Sequence, residues 1–311
     1  MSEQKNTEGS VQTTGHAWDG DIQEFNNPLP RWWIWAFYAS VLFAIGYWII
    51  YPSWPVGFTD KGYLTGVGNT ITFKNDKGED VTTHWNTRAL LLEDMQTGPE
   101  AMKQKEYLAK VTKASYSQIV ADDDMLGFTN AYAKGLFGDN CAACHQAGGA
   151  GVMGKYPNLA DDGWLYGGSY TQIEQTIKNG RKGSMPGFED RLSEKQKDDL
   201  SEYVLSLSGH EVDRNKAARG AKVFSGEGTC IACHGANAKG NTALGAANLT
   251  DRIWSIADVP SAADMEGKKA AIKQVINKGI SRHMPAWAGR LSDDEIKLLT
   301  VYVHSTLGGG Q

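Results

Sequence analysis

Cysteine is scarce in this chain: four residues in 311, too few to hold a disulfide scaffold together. Positive charge is not in surplus either. Lys and Arg number 31 against 36 Asp and Glu, for a net charge of -5, so nucleic acid is not an expected partner. Long apolar runs are missing apart from one, which excludes a polytopic membrane protein. With 41% hydrophobic and 22% charged residues, the chain is not a disordered tail. Proline is sparse, at nine, whereas 36 glycines imply loop-rich domains. The length allows about two domains of roughly 150 residues.

The one apolar run is WWIWAFYASVLFAIGYWIIY, Trp32 to Tyr51, 20 residues without a charge. At about 1.5 Å per helical residue it crosses the roughly 30 Å hydrocarbon core of a bilayer. Trp32, Trp33 and Trp35 gather at one end, and Trp48, Tyr51 and Trp54 at the other, as aromatic residues do at the two membrane interfaces. Pro28 and Pro30 precede the run and Pro52 and Pro55 follow it, so both ends are punctuated. A cleaved signal peptide is the competing reading, but its core is about 7–15 residues behind a basic leader. Here the preceding residues are polar and acidic, and YPSWP is a poor cleavage site. An uncleaved anchor in membrane lipid is expected. Lys5 and Arg31 before the span, against Lys61 after it, weakly favour a cytoplasmic N-terminus.

Residues 52–121 read as an irregular connector. Asn75-Asp76-Lys77-Gly78 lies between two Thr- and Val-containing runs and marks a turn suited to a hairpin. Residues 86–120 look helical, with weak amphipathicity. From about residue 122 the chain repeats itself. Cys141-Ala142-Ala143-Cys144-His145 is matched by Cys230-Ile231-Ala232-Cys233-His234, and Asn158-Leu159-Ala160-Asp161 by Asn248-Leu249-Thr250-Asp251. Trp164 matches Trp254, Gly180 matches Gly279, and Met185-Pro186 matches Met284-Pro285. Arg191-Leu192-Ser193 and Tyr203-Val204 recur as Arg290-Leu291-Ser292 and Tyr302-Val303. Matches in such register mean two copies of one domain, expected at 122–210 and 211–311.

Cys-x-x-Cys-His is the attachment signature of c-type haem. The two thiols add to the haem vinyl groups as thioethers, and the adjacent histidine is carried under the iron. All four cysteines fall in two such motifs, so two covalent haem c are expected. Cys141, Cys144, Cys230 and Cys233 are the thioether residues, and His145 and His234 the proximal ligands. Zinc, or a thioredoxin-like dithiol, is the alternative for paired Cys-x-x-Cys; the 85 residues between the pairs and the histidine directly after each argue against it.

The sixth ligand is expected to be methionine, the cytochrome c pattern that raises reduction potential. Met185 and Met284 each precede proline at equivalent positions, whereas Met95, Met102, Met125, Met153 and Met265 lack that context. A methionine is most often core filler, but here the repeat register favours ligation. Two pairings stay open. Each methionine could serve the histidine of its own repeat, or the loops could cross so that each caps the neighbouring haem. His283 adjoins Met284 and is a rival ligand, though its counterpart Ser184 cannot ligate. His16, His84, His210 and His304 read as solvated or structural, and Asp122-Asp123-Asp124 as a solvated helix cap. Trp164, Trp254 and Trp287 read as haem-pocket or core packing. No catalytic residue is expected.

Bacteria attach c-type haem outside the cytoplasmic membrane, so the haem domains are expected in the periplasm and residues 1–31 in the cytoplasm. Residues 122–210 carry 8 basic and 13 acidic side chains, and residues 211–311 carry 13 and 10. An acidic first domain would steer a basic soluble electron donor. Segments 194–207 and 293–306 show helical spacing of Leu, Val and Tyr. The expected fold class is all-α: an N-terminal transmembrane helix at 32–51, the irregular connector, and two tandem cytochrome c domains.

Asn26-Asn27-Pro28-Leu29-Pro30-Arg31-Trp32-Trp33, then Gly46-Tyr47-Trp48, Tyr51-Pro52 and the tandem haem motifs, resemble the dihaem subunit (CcoP) family of cbb3-type cytochrome c oxidases. The resemblance covers nearly the whole chain, without departure at the haem positions. It implies a respiratory terminal oxidase of the bacterial inner membrane. In that family this subunit takes electrons from soluble periplasmic cytochrome c and sits beside a monohaem membrane cytochrome c subunit. The electrons pass on to the catalytic haem–copper subunit, where O2 becomes water and protons are pumped. This chain has no histidine cluster on several spans for an oxygen site, so its expected part is relay. A lone helix bearing Trp32, Trp33, Tyr38, Tyr47 and Trp48 would dock on partner helices, with Gly46 permitting close approach. A free-standing, membrane-tethered dihaem shuttle is the alternative. A haem sensor or a dihaem peroxidase would need an open iron position, which two distal methionines oppose.

Overall fold

A charge-free apolar stretch closes its backbone hydrogen bonds internally by becoming a helix. In the computed structural model, which describes residues 12–51, 53–55, 63–64, 66–67 and 70–308, two paired strands, β1 (Thr13–Trp18) and β2 (Ile22–Phe25), lead into α1 (Arg31–Ile50). Pro30 stands at its N-cap, and Tyr51 N–H donates to Tyr47 O at the far end. The helix is long and apolar enough to cross a membrane, and no residue of it is buried. A helix apolar all round needs a non-aqueous surrounding, so lipid or partner helices must supply it. Lys5, Pro52 and Lys61, and the side chains of Trp54 and Pro55, lie outside the described residues.

The connector begins with the short pair β3 (Ser53–Pro55) and β4 (Tyr63–Leu64). The expected hairpin follows as β5 (Thr70–Lys74) and β6 (Asp80–His84), in register from Thr70↔His84 to Lys74↔Asp80. Its turn is held by Asn75 Oδ1, which accepts from Lys77 N at 2.9 Å and Glu79 N at 3.0 Å. Gly78 supplies the positive φ of 78°. Next come α2 (Thr87–Thr97), capped by Asn86, and α3 (Pro99–Lys113). Gln96 of α2 clips both backbone groups of Lys74 at 2.7 and 2.8 Å. The chain divides into two compact units after Lys103.

The second unit is helical. It contains α4 (Tyr116–Ala121), α5 (Asp123–Asn140), α6 (Ala142–His145), α7 (Tyr170–Asn179), β7 (Arg181–Met185) and α8 (Glu194–Leu207). The second repeat adds α9 (Arg214–Ser225), α10 (Ile231–His234), α11 (Met265–Lys278), β8 (Ile280–Met284) and α12 (Asp293–Val301), which continues as a π-turn over Tyr302–Thr306. The repeated Arg-Leu-Ser now has a structural meaning. Ser193 and Ser292 start α8 and α12 with capping boxes completed by Gln196 and Glu295, satisfying donors the helix cannot.

Two hydrophobic cores form, and neither corresponds to one repeat. The first joins Val111, Ile119, Met125, Phe137, Ile173 and Ile177 to Leu291, Ile296, Leu299 and Tyr302 from the end of the chain. The second joins Leu192, Leu200 and Leu205 of the region around α8 to Phe224, Val259, Ile272 and Ile276. Helix α12 therefore packs on α5 and α7, while α8 packs on α9 and α11. The exchange runs through β7 and β8, which pair antiparallel from Arg181↔Met284 to Met185↔Ile280.

The expected boundaries at 122–210 and 211–311 thus follow the sequence repeat, but the cores divide otherwise. Residues 185–279 build the second core without interruption, and 104–184 close with 280–308 to build the first. The physical cause is the ribbon, which carries the chain out of one core before the next helix begins. The connector expected over 52–121 also ends early, because Val111 and Ile119 are fully buried in the first core.

Candidate haem-binding site

Each Cys-x-x-Cys-His occupies one helical turn directly after a core helix or its loop. Cys141 N–H donates to Phe137 O at 2.8 Å, and the turn closes with His145 N to Cys141 O and His234 N to Cys230 O, both at 2.9 Å. Cysteines three apart on such a turn share a face. Cys141 and Cys230 are half-buried, and Cys144 and Cys233 exposed. Burial pushes the Cys141 thiol up to about 11.

Both histidine rings are oriented by backbone carbonyls. His145 Nδ1 lies 3.0 Å from Pro157 O, and His234 Nδ1 lies 2.9 Å from Ala247 O. A carbonyl can only accept, so Nδ1 carries the hydrogen and Nε2 keeps its lone pair. Such an outer hydrogen bond fixes ring orientation and raises ligand basicity. Burial lowers the His145 pKa, which favours the neutral imidazole that a metal ligand needs.

Met185 and Met284 end β7 and β8, each followed by proline. Met284 packs against the core holding Phe137, Cys141 and Trp164, and Met185 against the core holding Phe224, Cys230 and Trp254. The loops after them are pinned the same way: Trp287 N–H donates to Ile177 O at 3.1 Å, and Phe188 N–H to Ile276 O at 2.9 Å. Gly180 and Gly279 complete the crossing. A Cβ on Gly180 would lie 2.7 Å from Ala286 N, and one on Gly279 would lie 2.6 Å from Gly187 N. Each methionine loop thus rests on the other repeat.

Both motifs and both methionines line one continuous cavity of about 1370 Å³, larger than the roughly 300–1,000 Å³ of a pocket for one drug-sized ligand. Trp164, Tyr166 and Arg282 also line it, and their Nε1, OH and Nη1 atoms are buried without a hydrogen-bond partner among the described residues. Indole and guanidinium can only donate. A mostly apolar cavity that brings together both Cys-x-x-Cys-His turns, two imidazoles held through Nδ1 and two thioethers suits a flat iron macrocycle, so the residues present fit haem. Burial lowers the Arg282 pKa. His283 is exposed and alternates with Met284 along β8. Asp122 caps α5 by accepting from Met125 N at 2.9 Å. His304 stacks on Tyr170, ring centroids 3.8 Å apart.

The charge contrast between the repeats does not survive the exchange. Residues 104–184 with 280–308 carry 11 basic and 11 acidic side chains, and residues 185–279 carry 13 and 13. Steering by an acidic first domain loses its basis. The motif pattern missed Pro157, Ala247, Tyr166 and Arg282. The two carbonyls leave no sequence signal, and Arg282 has only Gly183 as its counterpart.

Helical cores that present Cys-x-x-Cys-His turns opposite Met-Pro loops define the chain as a c-type cytochrome. Comparison with known proteins narrows the class. Residues 10–57 match the N-terminal domain of cytochrome oxidase-cbb3, FixP. Residues 130–204 and 215–303 match cytochrome C oxidase, cbb3-type, subunit III. The cbb3-type cytochrome c oxidase subunit FixP of Azorhizobium caulinodans is 42% identical over 97% of this chain and 95% of its own length. Subunit CcoP of Azospirillum sp. is 37% identical over 97% and 96%, and that of Cereibacter sphaeroides 35% over 99% and 98%. The chain belongs to the FixP/CcoP family of cbb3-type cytochrome c oxidase subunits, and with it to the haem c proteins.

Proposed function

We propose that this chain is the electron-relay subunit of a cbb3-type oxidase and holds two haem c between its exchanged cores. The carrying observation is the shared cavity, lined by both attachment motifs and both Met-Pro loops. Cys141 and Cys144 tether one haem and Cys230 and Cys233 the other. His145 and His234 are the proximal ligands, held by Pro157 and Ala247. The crossed packing favours Met284 opposite His145 and Met185 opposite His234.

When bound, each haem iron supplies a one-electron ferric/ferrous couple. The protein's part is to fix both axial ligands, exclude water with Phe137, Trp164, Phe224 and Trp254, and keep the two groups in one cavity for direct exchange. Helix α1 anchors the chain in the bacterial inner membrane, with residues 1–31 cytoplasmic and the haem cores periplasmic. A soluble periplasmic cytochrome c donates the electrons. A monohaem membrane cytochrome c subunit and the catalytic haem–copper subunit, where O2 is reduced to water and protons are pumped, are its neighbours.

The test is mild-detergent purification through a tag on this chain, with haem analysis and oxygen uptake on reduced cytochrome c. Two c haems per chain, co-purifying b haem and copper, and oxygen consumption are expected. A lone 33.9 kDa chain with two c haems and no oxygen uptake, under conditions that preserve a control oxidase, would instead establish a tethered shuttle.

A further inference from the structure

The two strands ahead of α1 are formed and cover nothing. Asp19 and Gly20 make the reversal, both at positive φ, 53° and 92°, as an Asp-Gly hairpin requires. Trp18 is the register partner of Ile22, so the two side chains share a face. His16 stacks on Trp18, ring centroids 4.3 Å apart. Yet all six residues of β1 and all four of β2 are exposed, with Trp18 at 54%, Ile22 at 59% and Phe25 at 67%. A lone two-stranded hairpin is at best marginally stable in water. Its large apolar side chains need a surface that the described residues do not supply.

Position limits which surface that is. Only Asn26 to Pro30 separate β2 from α1, a reach of at most about 18 Å. With residues 1–31 cytoplasmic as proposed, the hairpin lies against the cytoplasmic side of the membrane. Lipid headgroups and the loops of a neighbouring membrane protein are both within reach, and charge separates them. Residues 12–30 hold Asp19, Asp21 and Glu24 and no Lys or Arg. The cytoplasmic leaflet is anionic and attracts basic segments, so it repels this one. Cytoplasmic loops of membrane proteins carry an excess of Lys and Arg and complement the hairpin in sign. Glu24 follows Ile22 by two residues along β2 and shares its face, so the acid and the apolar pair address one surface.

We propose that the Thr13–Phe25 hairpin is a cytoplasmic clamp, docking Trp18 and Ile22 on the Lys- and Arg-bearing cytoplasmic loops of a multi-span subunit of the oxidase. This rests on the reading of the chain as an oxidase subunit with its N-terminus inside. Trp18 and Ile22 supply the desolvated centre of the contact, and Asp21 and Glu24 its charged rim. The clamp holds the subunit in the complex. The Cys-x-x-Cys-His turns lie in the other compact unit, so haem attachment does not depend on it.

The test is the rate at which b haem and copper leave the tagged full-length chain during a mild-detergent wash, with c haem per chain as the control for folding. Loss of an interface anchor shows mainly in the dissociation rate. Trp18→Ala combined with Ile22→Ala should release the partner about tenfold faster, at unchanged c haem. Asp21→Lys combined with Glu24→Lys should also speed release at low salt. Added salt should speed release from wild type, by screening the attraction, and no longer do so in the charge variant. Release at the wild-type rate in either variant overturns the proposal and leaves the oxidase reading intact; in the charge variant it assigns the hairpin to lipid headgroups. Should the apolar variant fail to accumulate, the charge variant decides alone. A membrane-impermeant maleimide should label Gln12→Cys in inverted membrane vesicles and not in right-side-out ones. The reverse pattern defeats the orientation and the proposal with it. A wild-type chain that brings neither b haem nor copper defeats the oxidase reading itself.

Discussion

Replacing Gly180 by alanine should damage the loop of Met284 and spare that of Met185, only five residues downstream. Gly180 holds φ 67° and ψ -177°, a region that a side chain enters at a cost of about 1–3 kcal/mol. The added Cβ would also sit 2.7 Å from Ala286 N and 2.8 Å from Pro285 C. Both are backbone atoms of the Met284 loop and cannot rotate away, so overpacking adds about 1–3 kcal/mol. Together these give a penalty of roughly 2–6 kcal/mol, relieved by moving the Met284 loop. The assay counts methionine-ligated irons by ferric-state spectroscopy, with carbon monoxide binding to the reduced protein as a check for vacated sites. In a Met185→Ala background, where the proposed ligation leaves one methionine-ligated iron, Gly180→Ala should remove it. In a Met284→Ala background it should change nothing further. Gly279→Ala should give the mirror pattern. If Gly180→Ala acts instead on the iron that survives in Met284→Ala, the exchanged packing is refuted.

Other outcomes follow from the same structure. Lys269 is 2% exposed and bridges Asp198 at 2.9 Å, Glu202 at 3.4 Å and Glu266 at 2.7 Å. Lys269→Ala leaves buried Glu202 with only the Asp213 N–H, while Asp198 keeps Lys216 at 2.8 Å, and should cost about 3 kcal/mol, the low end for a broken buried pair, measured by thermal unfolding of the second core. Burial holds His304 below its ordinary pKa, so the unfolded chain takes up that proton first as pH falls. The stability this group contributes is present above about pH 6.5 and is lost below it, and His304→Gln should flatten that part of the pH profile. A Cβ on Gly46 would meet nothing within 4 Å, so Gly46→Leu should leave the chain's own haem content unchanged. Less co-purified catalytic subunit is the expected loss, and an unaltered complex would remove Gly46 from the helix contact.

Chemistry was legible because it is local. Four cysteines in two five-residue motifs name the cofactor, and an uninterrupted apolar run marks the one helix among the described residues long and apolar enough to cross a membrane. The hairpin at Asn75 and the starts of α8 and α12 at Ser193 and Ser292 are local too. Which core each helix joins was not legible. The repeats differ too little for α8 or α12 to mark its partner, and the decision lies in pairing between β7, Arg-Lys-Gly-Ser-Met, and β8, Ile-Ser-Arg-His-Met, whose inner positions carry no apolar pattern. Gly180 and Gly279 were seen as matched positions, but glycine does not announce which backbone it must admit. Charge counts failed for the same reason, because they were summed over contiguous residues rather than over the residues that share a surface.

The uninterrupted second core has a bearing on export. With the haem cores periplasmic as proposed, residues 185–279 can finish folding as soon as they are exported, whereas the first core waits for residues 280–308. Its last ties include Lys297 Nζ, which donates to Thr112 O at 2.7 Å. Closing so long a loop is made easier once the nested core has brought the ends of its own segment together, since only the short ribbon then separates the parts to be joined. On the proposed ligation, a haem at the first motif would have His145 but not yet Met284 during that interval, and thioethers at Cys141 and Cys144 would keep it in place. A chain truncated after Gly279 should therefore keep two covalent haems, with only the one at Cys230 and Cys233 sealed against carbon monoxide.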